Sequence, residues 1–156
     1  MDLMSEVREI NLVLANSANI FQIKKDINLP QKISELLKNN KINVSLITTN
    51  NISAIDNIVK NKPDIILVFE NYKNIEQLND DLGFIEKIKT KVLDTKIAFL
   101  SGESTPSDYK IGLIKKGADI WIPYKQINNI SDILKKLYKG EKNIYEGVMT
   151  KDNLSE

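Results

Sequence analysis

Chemistry has few places to sit in this chain. It has no cysteine and no histidine. That removes thiolate nucleophiles and sulfur metal sites, and with them the commonest general base and the commonest metal ligand. A serine hydrolase would lack its base for the same reason. One stretch stands out among the remaining acids, hydroxyls and amides. Residues 63–71 read PDIILVFEN, and five apolar residues, Ile65 to Phe69, run without a polar break. That is the pattern of a strand buried on both faces, as in the middle of a parallel sheet. In open parallel sheets, ligands and catalytic groups gather at the carboxyl ends of the strands. Here that end carries Phe69 and Glu70.

The elements that must position this pair follow from periodicity. INLVLA, Ile10–Ala15, reads as a first strand and ends in the turn-forming run Asn16-Ser17-Ala18-Asn19. Residues 20–29 stay ambiguous: Ile20, Ile23 and Ile27 have helical spacing, but Pro30 interrupts it. Pro30 suits a first helical turn, so a helix is expected over Pro30–Lys38 with Ile33, Leu36 and Leu37 inward. A second strand is expected at Ile42–Thr48. A second helix presents Ile52, Ile55, Ile58 and Val59, and the Pro63–Glu70 strand follows. Ile75, Leu78, Leu82, Ile85, Ile88 and Val92 step through a long third helix, whose start is expected to be irregular because Asn71–Asp81 is polar and Gly83 follows.

The fourth strand is KIAFL, ending at Ser101-Gly102. Thr105-Pro106-Ser107-Asp108 has the chemistry of a helix start, with a capping hydroxyl, proline at the first helical position and an acid behind. That fourth helix ends at Gly117. DIWIP, Asp119–Pro123, is the fifth strand, and Ser131–Lys139 the fifth helix, with Ile130, Ile133, Leu134 and Leu137 inward. Strict alternation of five strands with five helical patterns predicts an α/β, doubly wound parallel sheet. The expected domain is 1–140, with 141–156 a tail or the start of a linker.

Composition bounds the function. A chain of 156 residues, 42% hydrophobic, makes one domain with a real core. With 22 basic residues against 21 acidic ones the net charge is +1, which gives no electrostatic case for direct nucleic-acid or membrane binding. No apolar run approaches the about 18 residues of a membrane span, and MDLMSE is not a signal peptide. A cytoplasmic protein is the expectation. All six glycines lie at or after Gly83, so no glycine-rich phosphate loop follows the first strand. A cobalamin-binding domain shares this layout but normally needs a ligand histidine.

Four segments carry a resemblance: NLVLANS at the first strand, KPDIILVFEN at the third, KIAFLSGES at the fourth and KKGADIWIP at the fifth. Together they resemble the receiver domain of bacterial response regulators, over roughly residues 8–140, which implies a flavodoxin-like sheet of strand order 2-1-3-4-5. ILKKLYKGEKNIYEGV resembles the way NarL-type receivers leave their last helix. The resemblance implies self-catalysed phosphorylation of an aspartate ending the third strand. It also implies two acids after the first strand for Mg²⁺, a Thr or Ser ending the fourth strand, and a Lys ending the fifth. On this sequence the acidic pair falls on Asn16 and Ser17, the acceptor on Phe69, the hydroxyl on Ser101 and the Lys on Tyr124. Only Ser101 is retained. Phenylalanine cannot accept a phosphoryl group, and Asn with Ser is a poor substitute for two carboxylates around a hard cation.

The expectation is therefore an atypical pseudo-receiver, not an enzyme, without cofactor or metal, that signals by phosphorylation-independent protein–protein contact. Its degenerate pocket comprises Asn16, Ser17, Phe69, Glu70, Ser101 and Tyr124. Two alternatives stand beside it: a receiver still accepting phosphoryl on Glu70, and a small-molecule sensor at the strand ends. The partner is expected to be another protein or a second copy, through the fourth helix, fifth strand and fifth helix. Trp121 reads equally as ordinary core packing or as an exposed anchor there, with Tyr109, Ile111 and Tyr138 around it. Family members usually regulate an attached output domain, often a DNA-binding one, and the final NLSE resembles the opening of such a domain.

Overall fold

A computed structural model describes residues 9–15, 28–48, 51–70, 75–102, 105–142 and 145–153. The ambiguous stretch from Ile20 lies mostly outside them. Strands β1 (Ile10–Ala15), β2 (Ile42–Ile47), β3 (Ile65–Glu70), β4 (Lys96–Ser101) and β5 (Ile120–Pro123) are parallel in the order β2-β1-β3-β4-β5. Helices α1 (Leu29–Asn39), α2 (Asn51–Asn61), α3 (Ile75–Lys91), α4 (Ser107–Lys116) and α5 (Ile130–Lys139) alternate with them. A 3-10 helix, Tyr124–Asn129, bridges β5 to α5.

The period-2 alternation of each strand divides the core into two layers. On one face Leu12, Leu14, Leu67, Phe69, Leu100 and Ile122 meet Ile33 and Leu37 of α1 and Ile130, Ile133 and Leu134 of α5. On the other, Val13, Val68, Phe99 and Trp121 meet Ile58 of α2, Ile85 and Ile88 of α3, and Tyr109, Leu113 and Ile114 of α4. All six β3 residues are buried, which explains their unbroken apolar run up to Glu70.

Turn chemistry at the other end of the sheet sets the register. Asp64 accepts a 2.8 Å hydrogen bond from the Asn11 amide, and Thr95 donates to the Pro63 carbonyl at 2.8 Å. The GAD segment before β5 has a defined task. Gly117 takes φ 137° where an added Cβ would meet Ile85 Cγ2 at 3.2 Å and Lys89 Cγ at 3.3 Å, so only glycine fits. Asp119 then accepts from the Ile97 amide at 2.8 Å and pairs with Lys89 at 2.9 Å, tying β5 to β4 and to α3.

Three local expectations differ. Helix α3 is continuous from Ile75 through Gly83. Its polar first half conceals Asp81, 2% exposed, on the inner face. Helix α4 starts at Ser107, and Thr105 does not cap it. The Thr105 hydroxyl donates to the Gly102 carbonyl at 2.8 Å instead. Finally, part of the stretch read as tail joins the sheet. β6 (Met149–Thr150) pairs antiparallel with β5, Trp121 opposite Met149 and Ile120 opposite Thr150. Val148 is buried in the α1/α5 core layer, with Tyr145 packed against it. Gln126 Nε2 donates to the Glu146 carbonyl at 2.8 Å.

Candidate functional site

The carboxyl ends of β3, β4 and β5 form the candidate site. Phe69 pairs in register with Leu100, and Glu70 with Ser101, which pairs with Pro123. Alternation then decides what each side chain meets. Phe69 is 0% exposed and lies in the α1/α5 layer with Leu12, Leu14, Leu67 and Leu100. Tyr124, half-buried, packs against that same layer. Glu70 and Ser101, one step along their strands, turn to the other face. Of the six sequence-derived pocket positions, four are described, and the sheet parts them two and two. Asn16 and Ser17 lie outside the described residues.

The Ser101 hydroxyl is fully buried and 2.8 Å from Thr105 Oγ1. Since Thr105 gives its own hydrogen to Gly102 O, Ser101 is the donor in that pair. Its hydrogen is thus directed into the loop after β4.

Glu70 is 0% exposed and hydrogen-bonded to Asp81 of α3 and to Tyr109 of α4. The Tyr109 hydroxyl also donates to Asp81 Oδ2. Burial is the main force on Asp81 and pushes its carboxyl above the usual range. The hydrogen bonds from Glu70 and Tyr109 oppose that push, and the charge of Asp80 adds to it. Burial, followed by the charges of Asp81 and Glu70, drives the Tyr109 phenol well above its ordinary value.

Asp81 was missed in the sequence reading, although a signal existed. It lies three residues after Leu78 and four before Ile85, on the stripe that α3 turns inward.

The described residues of the site do not suit Mg²⁺. Phe69, Ser101 and Tyr124 supply no carboxylate, and Glu70 is engaged by Asp81 and Tyr109 on the far side of the sheet from Phe69. Among the described residues no group of three or more acidic, histidine or cysteine side chains could hold a metal ion.

The expected interaction anchor is corrected. Trp121 is 1% exposed and Tyr109 2%; neither is on the surface. Trp121 faces the α2–α4 layer, with Lys110 Nζ 4.2 Å above its ring and Met149 of β6 opposite it across the edge. Tyr109 turns inward to its acid partners. Ile111 is half-buried on α4, and Tyr138 packs against the other core layer, so these four residues do not form one patch. The exposed large apolar side chain among the described residues is Leu93, at the opposite end of the strands. No described helix is long and apolar enough to cross a membrane.

No family model and no curated protein matches this chain. Solved structures do. The isolated receiver (REC) domain of RcsB from Salmonella enterica serovar Typhimurium, determined with the phosphomimetic BeF3-, aligns with a TM-score of 0.68 at 16% identity, over 88% of this chain and 94% of that one. A DNA-binding response regulator of the LuxR family from Staphylococcus aureus gives 0.64 at 16%, over 83% and 98%. A response regulator from Thermotoga maritima gives 0.63 at 20%, over 84% and 98%. The fold is therefore that of response-regulator receiver domains, with β6 added at its edge.

Proposed function

We propose that this chain is an atypical receiver-like module of two-component signalling that acts through protein–protein contact without accepting a phosphoryl group. The carrying observation is Phe69, which stands where the receiver resemblance puts the acceptor aspartate. It is fully buried in the apolar layer that also holds Leu12, Leu14, Leu67 and Leu100. The neighbouring Ser101 hydroxyl is engaged by Thr105, and Trp121 is packed inside. Each of these positions is held by local packing or a hydrogen bond.

On this reading the domain performs no chemistry of its own and needs neither cofactor nor metal. It regulates a protein partner, a second copy or an output domain. The Staphylococcus aureus neighbour is a DNA-binding regulator; any contact with DNA here is assigned to an output domain, since a net charge of +1 gives this chain no electrostatic footprint for nucleic acid.

The test is incubation with acetyl phosphate, or with beryllofluoride, in the presence of Mg²⁺. Intact mass and tryptophan fluorescence should both stay unchanged. A mass increase of one phosphoryl group, lost in Glu70→Gln, would overturn the proposal in favour of a Glu70 acceptor.

A further inference from the structure

Two carboxyl groups hydrogen-bonded to each other require a proton between them, because a carboxylate has only acceptors. Glu70 and Asp81 are in that relation, and both are almost wholly buried. We infer that Glu70, Asp81 and Tyr109 form a proton-binding clamp that fastens α3 and α4 to the carboxyl end of β3 while the carboxyl pair holds its proton, and loosens when that proton leaves. This regulatory device is separate from the proposed signalling role, and neither depends on the other.

The clamp joins three elements through three side chains: Glu70 from β3, Asp81 from α3 and Tyr109 from α4. With one proton on the carboxyl pair, the site carries a single negative charge. The Tyr109 hydroxyl stabilises that charge by donating to Asp81. Removing the proton leaves two carboxylates side by side in a desolvated site, where both burial and repulsion oppose the charge.

The charged groups acting on the cluster do not relieve it. Asp80, the preceding residue of α3, adds negative charge beside Asp81. From α4, Lys110 is placed over the Trp121 ring. Lys116 pairs with Glu86 at 2.9 Å further along the same two helices, and Lys89 pairs with Asp119. Ser101 on the neighbouring strand is neutral and engaged with Thr105. Among the described residues no cation appears among the charges that shift Asp81 or Tyr109.

The sign follows from linkage. The Asp81 carboxyl is raised in the folded chain above its ordinary value of 3.8, so above that value the folded state binds more protons than the unfolded one. The clamp's contribution is complete below about pH 4. It falls as pH climbs through the raised value, by up to about tenfold in the folding constant per pH unit.

The experiment is urea unfolding of the full chain between about pH 5 and about pH 9, with amide exchange of residues 75–91 and 107–116 followed over the same range. Wild type should lose stability as pH rises, and protection should fall first in those two helices after correction for intrinsic exchange. Asp81→Asn, which keeps a donor and an acceptor at that position but carries no ionisable proton, should flatten that slope, whereas Glu70→Gln should leave the part that burial of Asp81 imposes. An unchanged slope in Asp81→Asn would overturn the proposal. Infrared spectra of the wild type give a check that does not depend on variants folding. A protonated-carboxyl carbonyl band should persist at neutral pH, and its absence would equally overturn the clamp.

Discussion

Phe69 and Glu70 are neighbours on β3, yet the sheet separates them. Phe69 enters the apolar layer beneath α1 and α5, and Glu70 meets Asp81 and Tyr109 beneath α3 and α4. A one-residue step in a strand exchanges the environment completely. Glu70 therefore cannot replace an acceptor at Phe69 by a small adjustment. Turning it to the Phe69 side would bury a charge among leucines and break its bonds to Asp81 and Tyr109.

Placing an acid at Phe69 should be costly. Phe69→Asp removes a fully buried ring and sets a carboxylate among Leu12, Leu14 and Leu100. The expected loss is about 2–4 kcal/mol in urea unfolding at neutral pH. A variant as stable as wild type would mean that this side chain reaches solvent.

Trp121 should behave as core. Trp121→Ala is expected to destabilise the fold by about 3–5 kcal/mol, and wild-type fluorescence should be blue-shifted and poorly quenched by iodide. Strong iodide quenching in the native protein would contradict its 1% exposure.

Gly117→Ala tests the turn before β5. With φ 137° and contacts of 3.2 and 3.3 Å waiting for a Cβ, the variant should lose about 1–3 kcal/mol. Gly83→Ala in α3, where an added Cβ meets nothing within 4 Å, should instead be neutral or stabilising by up to about 1 kcal/mol. Equal effects at the two sites would remove the turn's special role.

The sixth strand should protect the β5 edge. Val148 is 6% exposed and sits just before the Met149–Trp121 pairing. Val148→Asp is expected to release that strand at a cost of about 2 kcal/mol, to red-shift Trp121 emission and to speed amide exchange along Ile120–Pro123. An exposed strand edge also invites pairing with another chain, so light scattering should show more self-association than in wild type.

The sequence alone determined the alternation of strands and helices, the identity of β3 as the central buried strand, and the phenylalanine at position 69, where the receiver resemblance places an acceptor. These are local properties: apolar period, turn residues and residue type are written along the chain. Gly117 was legible as a helix stop, although the Ile85 and Lys89 contacts that make it necessary were not. Tertiary structure decided where polar and aromatic side chains go. Trp121 reads equally well as anchor or core until β6 is seen to pair across it, and that pairing depends on a tail whose short, polar sequence carries no strand period. Asp81 hides in a polar run, and its burial becomes meaningful only when β3 and α4 bring Glu70 and Tyr109 to it. Burial of a charge is fixed by its partners, and those partners are distant in sequence: Glu70 stands 11 residues before Asp81 and Tyr109 28 residues after it.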